Sequence, residues 1–141
     1  MLDVRETLVP MRIFIVDDDL DKAGQYKAEL ENNGFIVDII FRFEDVLEKA
    51  INLRPDLIYL DLLIPNRDGF RLCQSLKQHP VTRDIPVIFL TKLGNMEFVN
   101  KGINLGAADY LLKASTNSQK LLNITRKHLI SISARFHDQL H

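Results

Sequence analysis

The chain has 141 residues, and 46% of them are hydrophobic, which supports one buried core and leaves no room for a second full domain. Its 18 basic and 19 acidic residues leave a net charge of −1, so nothing in the charge favours nucleic acid or an anionic membrane surface as a partner. Cys73 is the single cysteine and has no partner for a disulfide. No apolar run reaches the roughly 18 residues of a membrane-spanning helix, and the N-terminus does not have the pattern of a secretory signal. We therefore expect a cytoplasmic protein.

Predicted strands and helices alternate along the chain. Each strand is a short, nearly continuous apolar run, and each helix has apolar residues at helical spacing. The strands are predicted over 12–16, 35–41, 57–60, 87–90 and 108–112. The helices are predicted over about 20–32, 44–52, 70–76 and 95–104, and from Ser115 or Thr116 past residue 130.

Capping and breaking residues support these boundaries. Asp18 or Asp19 can cap the first helix, and Gly34 suits the left-handed residue that ends it. Pro55 stops the second helix before the third strand begins. The elements therefore follow one another as five strand–helix units.

Five such units with apolar strands predict an α/β fold. The sheet would be parallel, five-stranded and covered by helices on both faces, which is a three-layer, doubly wound domain. We expect the flavodoxin-like strand order 2-1-3-4-5. The domain is predicted to span 11–130, after an N-terminal extension over 1–10 and before a segment over 131–141 that ends the last helix or begins a linker.

Polar side chains follow four of the predicted strands. Asp17 and Asp18 follow the first, Asp61 the third, Thr91 the fourth and Lys113 the fifth. The carboxyl ends of parallel strands lie at one edge of the sheet, where such folds bind ligands. We therefore expect these side chains to converge on one site.

The chemistry of these groups favours a metal ion and a phosphoryl group. Three crowded carboxylates repel one another unless a cation is present, and an oxygen-only ligand set suits Mg²⁺. Asp61 would be either a further ligand or a nucleophile, because carboxylates can form aspartyl phosphates. Lys113 would neutralise phosphoryl oxygens, and Thr91 could donate a hydrogen bond to the phosphate.

These residues resemble the receiver domain of bacterial two-component response regulators. The resemblance covers about 11–130 and rests on IFIVDDD at 13–19, LIYLDLLIPNRDG at 57–69, PVIFLT at 86–91 and GAADYLLK at 106–113. It implies that Asp61 is the phosphoacceptor. It implies the following further roles: Mg²⁺ ligation by Asp17, Asp18, Asp61 and the Leu63 backbone carbonyl, a switch hydroxyl on Thr91, a switch aromatic at Tyr110 and phosphate binding by Lys113.

The same resemblance implies a function and partners. A sensor histidine kinase or a histidine phosphotransfer protein would donate the phosphoryl group from a phosphohistidine. Phosphorylation would remodel the face formed by helix 4, strand 5 and helix 5, through which the domain could form a homodimer. The domain would catalyse only its own phosphorylation and dephosphorylation, with no direct contact to nucleic acid or membrane.

Two positions depart from the family pattern. Ala114 stands where a proline usually follows the lysine, often with a cis peptide, which costs about 2.5–4 kcal/mol without proline. The sequence therefore predicts a trans or more mobile loop over 113–115. Lys92 adds a charge where a small residue commonly follows the threonine.

Two other functions remain open from the sequence. A haloacid-dehalogenase-like phosphohydrolase would use Asp17 as nucleophile and Asp19 as its partner, although Leu20 follows instead of the usual glycine. A receiver-like interaction module would work without phosphorylation. Steady turnover of a phosphomonoester would favour the hydrolase, and an absence of labelling would favour the module.

Overall fold

Strands and helices alternate as the sequence predicts. A computed structural model describes the backbone of residues 10–62 and 68–140, and side chains within these ranges as far as residue 130. The described elements are β1 (Arg12–Val16), α1 (Leu20–Asn32), β2 (Ile36–Ile40), α2 (Phe43–Leu53), β3 (Leu57–Leu60), α3 (Gly69–Gln78), β4 (Val87–Thr91), α4 (Met96–Asn104), β5 (Asp109–Leu112) and α5 (Ser118–Leu140). None of the described helices combines the length and apolarity needed to cross a bilayer.

All five strands pair in parallel in the order β2-β1-β3-β4-β5. This is the predicted flavodoxin-like order, in which β1 and β3 are neighbours at the point where the chain reverses direction across the sheet. Val16 and Leu60 are partners in the register of β1 and β3. The residues that follow them, Asp17 and Asp61, therefore leave the sheet side by side.

Side chains that alternate along each strand build two apolar layers. One layer packs against α2 and α3 and includes Phe14, Ile58 and Phe89. The other packs against α1 and α5 and includes Ile15, Tyr59, Ile88, Tyr26 and Leu121. Because both faces are covered, the central strands β1, β3 and β4 are buried nearly throughout, which explains their continuous apolar runs. The edge strands β2 and β5 are only partly buried.

The last helix begins two to three residues later than predicted. Lys113–Ser115 forms a single 3₁₀ turn, and α5 starts at Ser118. The Asn117 side chain accepts a hydrogen bond from the Lys120 amide at 2.8 Å, so it caps the helix in place of Ser115 or Thr116. At the first helix, the predicted cap by Asp19 is correct, since its carboxylate accepts from the Lys22 amide.

Candidate functional site

The predicted site residues meet at the carboxyl edge of the sheet. Asp17, Asp61 and Thr91 are buried, and Asp18 is exposed beside them. Lys113 is only 8% exposed, although lysine is rarely buried without a partner. Backbone bonds from the Asp17 amide to Ile40 and from the Asp61 amide to Val16, both 3.0 Å, hold the two acids at the strand ends.

The Lys113 ammonium bridges two carboxylates. Its Nζ lies 2.7 Å from Asp17 Oδ2 and 2.8 Å from Asp61 Oδ2. Burial alone would lower the pKa of Lys113, but the hydrogen bonds to these two acids raise it above its ordinary value. Lys113 is therefore held as a cation inside the site.

The pKa of Asp17 is also raised, because burial disfavours its ionised form more than its bonds to Lys113 and to the Asp19 amide favour it. The pKa values of Asp17 and of its partner Lys113 can both be raised because one ammonium is shared by two carboxylates. Each acid receives only part of the compensation that the single cation provides. The site is thus short of positive charge.

An oxygen from each of Asp17, Asp18 and Asp61 lies within 4.8 Å of the others, so these three residues could hold a metal ion. With all groups ionised, three carboxylates and one ammonium leave two uncompensated negative charges. A divalent cation would neutralise them, and the all-oxygen donor set suits a hard ion. The Leu63 carbonyl, predicted as a further ligand, lies outside the described residues.

Thr91 and Tyr110 meet at the backbone of Leu93. The buried Thr91 hydroxyl accepts a hydrogen bond from the Leu93 amide at 3.4 Å. The Tyr110 hydroxyl donates to the Leu93 carbonyl at 2.5 Å, and its ring lies 5.7 Å from that of Phe89 between centroids. Burial and the charge of Asp61 raise the pKa of Tyr110, so its hydroxyl stays protonated at neutral pH.

The two departures from the family pattern leave the site assembled. All described peptide bonds are trans, and Ala114 lies within the 3₁₀ turn that presents Lys113. The ammonium reaches both acids without the usual proline. Lys92 is exposed at the rim of the site.

Gly69 is a site residue that sequence reasoning missed. A Cβ at this position would lie 2.9 Å from the Asp61 carbonyl oxygen and 3.0 Å from Leu62 Cα. The first turn of α3 therefore rests directly on the backbone that carries Asp61. The signal was a glycine between the capping Asp68 and the first apolar residue of the helix, Phe70.

Comparison with known proteins identifies the family. The model of the response regulator receiver domain matches residues 13–126, and the chain belongs to this family. The DNA-binding dual master transcriptional regulator RpaA of Synechocystis is 41% identical over 102 residues, which are 72% of this chain and 42% of RpaA. This chain spans about half the length of the curated relatives it matches.

Solved structures agree with this assignment. A putative response regulator from Chloroflexus aurantiacus is 32% identical, with a TM-score of 0.79 over 86% of this chain and 99% of its own. The BeF3-activated receiver domain of Klebsiella pneumoniae RstA is 31% identical, with a TM-score of 0.75 over 84% and 97%. The predicted fold and receiver function are confirmed, and the family match removes support from the phosphohydrolase alternative.

Proposed function

We propose that Asp61 accepts a phosphoryl group from a phosphohistidine of a sensor histidine kinase or a histidine phosphotransfer protein. The observation that carries this proposal is the buried Lys113 ammonium, shared between Asp61 and Asp17. Such a cation beside a carboxylate can hold the oxygens of an incoming phosphoryl group. A purely structural ion pair would not need the third acid, Asp18, close by.

In the proposed reaction, a carboxylate oxygen of Asp61 forms a bond to phosphorus while the phosphorus–nitrogen bond to the donor histidine breaks. The imidazole leaves with the electron pair of that bond and takes a proton from solvent. Lys113 stays beside the phosphoryl oxygens, and the Thr91 hydroxyl turns to donate to one of them. The product is an aspartyl phosphate.

We further propose that Asp17, Asp18 and Asp61 bind Mg²⁺, with the Leu63 carbonyl as the remaining protein ligand. The bound ion would neutralise negative charge on the transferring group. The excess of three carboxylates over the single Lys113 ammonium supports this assignment, because a divalent cation would balance it. A buried free thiol at Cys73 is consistent with the reducing cytoplasm as the location.

The switch in this proposal passes through Leu93. If Thr91 turns toward the phosphate, its hydroxyl gives up the 3.4 Å hydrogen bond that it accepts from the Leu93 amide. The carbonyl of the same residue, Leu93, accepts the hydrogen bond from the Tyr110 hydroxyl. The phosphate would then favour a second arrangement of α4, β5 and α5 by its contacts to Thr91 and Lys113. That face would serve a partner or a second copy of the chain, and we expect no direct contact with nucleic acid.

The test is labelling with acetyl phosphate and Mg²⁺, followed by mass spectrometry of the intact protein. We expect one phosphate per chain, stable in acid and labile to base and hydroxylamine. Asp61→Asn should lower labelling by a factor of roughly 100 or more, because it removes the nucleophile. Asp84→Asn, which changes an exposed acid, should label like the parent.

Three outcomes would contradict the proposal. Equal labelling of Asp61→Asn would place the phosphate elsewhere. Steady turnover of a phosphomonoester would indicate a hydrolase. A parent that takes no label from acetyl phosphate or from a histidine kinase would favour the module that works without phosphorylation.

A further inference from the structure

Tyr26 carries a buried hydroxyl that the receiver function described above does not use. The residue lies in the middle of α1 with a fully buried side chain. Its hydroxyl donates to the Thr116 backbone carbonyl at 2.7 Å, across a sequence separation of 90 residues. Burial raises the pKa of Tyr26, so this hydroxyl remains a donor at neutral pH.

The acceptor belongs to the turn that presents Lys113. Thr116 is itself buried, and its amide donates to the Lys113 carbonyl at 3.3 Å, which closes the 3₁₀ turn. A second side chain, Lys120, donates to Ser115 in the same turn at 3.1 Å, but that bond is exposed. Tyr26 therefore provides a buried hydrogen bond between this turn and α1.

The position of this turn determines where the Lys113 ammonium lies, so a contact that fixes the turn also fixes Lys113. A lysine side chain can adopt many rotamers, so the position of its ammonium depends on where the backbone begins. Ala114 does not restrict the backbone as a proline would. An error of about 1 Å in a catalytic group can cost up to a hundredfold in rate.

We propose that Tyr26 is a positioning residue for phosphoryl transfer, and that its hydrogen bond to Thr116 fixes the turn that places Lys113 between Asp17 and Asp61. The proposal rests on the proposed function, because Lys113 acts on a phosphoryl group only if Asp61 accepts one. Tyr26 itself touches neither the phosphoryl group nor the reacting oxygens. It acts through the turn.

Tyr59 provides a matched control. Its side chain is buried in the same layer, and its hydroxyl lies 2.5 Å from Thr125 Oγ1 on α5. Thr125 in turn donates to the Leu121 carbonyl, so Tyr59 is tied to the helix and not to the Lys113 turn. Tyr26→Phe and Tyr59→Phe each remove one buried hydroxyl from the same face and keep the ring.

The experiment measures the rate of labelling by acetyl phosphate in saturating Mg²⁺, together with urea unfolding, for both variants. We expect similar losses of stability. Tyr26→Phe should label about tenfold more slowly than the parent, whereas Tyr59→Phe should keep the parent's rate. Equal rates for the two variants would show that Tyr26 has only a structural role and would overturn the proposal.

A double-mutant cycle with Lys113→Ala gives a second test. If Tyr26 acts through Lys113, adding Tyr26→Phe to Lys113→Ala should change the remaining rate by no more than about twofold. A tenfold loss in both backgrounds would overturn the proposal while leaving the proposed function intact. An unlabelled parent would instead overturn the proposed function, and the role of Tyr26 in transfer with it.

Discussion

The layer of α1 and α5 and the helix α4 cover the sheet in different ways. In the first layer, Tyr26, Leu30 and Leu121 are fully buried. The Tyr26 hydroxyl adds a hydrogen bond from α1 to the turn before α5, and the Tyr59 hydroxyl adds one between β3 and α5. Side chains with this much buried contact cannot move without opening the core.

In α4 the only buried residue is Gly102. Phe98 and the capping Leu105 are half-buried against the core, and Met96 and Ile103 are 67% and 46% exposed. Few buried contacts mean that a segment can rearrange at low cost in free energy. Helix α4 is therefore the more adaptable covering of the sheet.

The site lies between these two regions, and its residues divide accordingly. Lys113 is tied through its turn to the layer of α1 and α5, called the closed layer here because Tyr26, Leu30 and Leu121 in it are fully buried. Thr91 and Tyr110 meet at Leu93, on the side of α4. The comparison teaches that Lys113, the proposed phosphate-binding group, is held by the tightly packed layer. Thr91 and Tyr110, the proposed switch residues, face the helix with few buried side chains.

The largest expected difference concerns matched leucines. Leu121→Ala in the closed layer should lower the free energy of unfolding by about 3 kcal/mol, because it leaves a cavity among fully buried neighbours. Leu105→Ala beside α4 should cost only about 1 kcal/mol, since this side chain is half-exposed and its surroundings can close. Urea unfolding of both variants measures the difference. Equal losses would show that α4 is packed as tightly as α1 and α5.

Alanine substitution of two helical glycines gives a sharper test, because the two expected changes in stability have opposite signs. A Cβ at Gly24 in α1 meets no atom within 4 Å, so Gly24→Ala should stabilise the domain by up to about 1 kcal/mol. At Gly102 in α4 a Cβ would lie 2.9 Å from Phe89 Cδ2 and 3.3 Å from Tyr110 Cδ2. Overpacking should outweigh the gain in helix propensity, so Gly102→Ala should destabilise by about 1 kcal/mol.

Urea midpoints decide between these signs, and amide chemical shifts show where Gly102→Ala acts. We expect its shifts to extend from α4 to Tyr110 and Leu93, because α4 rests on the Tyr110 ring at this position. If Gly102→Ala is as stable as Gly24→Ala, then α4 moves away from the sheet without cost. In that case it could not transmit a change at Tyr110.

The smallest expected effect concerns Asp17, one of the two acids that share Lys113. The pKa of Asp17 is raised in the fold, chiefly by burial. Its stabilising contribution is therefore present below the ordinary value of 3.8 and lost as pH rises through the raised pKa, because burial disfavours the ionised carboxylate. Asp17→Asn should then stabilise the domain in chelator, by up to about 1 kcal/mol.

Bound metal should make the parent more stable than Asp17→Asn, the opposite of the order expected in chelator. Millimolar Mg²⁺ should raise the melting temperature of the parent by mass action and should raise that of Asp17→Asn much less, because a ligand is gone. Glu48→Gln, which neutralises an exposed acid of α2, serves as the control and should respond to Mg²⁺ like the parent. A parent that melts at the same temperature with chelator and with Mg²⁺ would contradict the metal site.

The sequence by itself determined the fold and which polar side chains converge at the sheet edge, for a local reason. Each strand is an apolar run, and each site residue directly follows one, so the parallel arrangement brings Asp17, Asp61, Thr91 and Lys113 to the same edge. Helix boundaries were predictable where a single residue decides them. Gly34, with a φ of 92°, ends α1 as expected.

Only the tertiary structure decided how these groups are held. Nothing in the spacing shows that one ammonium is shared by two acids, or that the Tyr26 hydroxyl reaches a carbonyl 90 residues away. Tyr26 has the same helical spacing as Ala23 and Leu30, and its hydroxyl gains a role only because α1 packs beside the turn before α5. Periodicity encodes which face of a helix is buried, whereas hydrogen bonds between distant segments depend on how the finished layers meet.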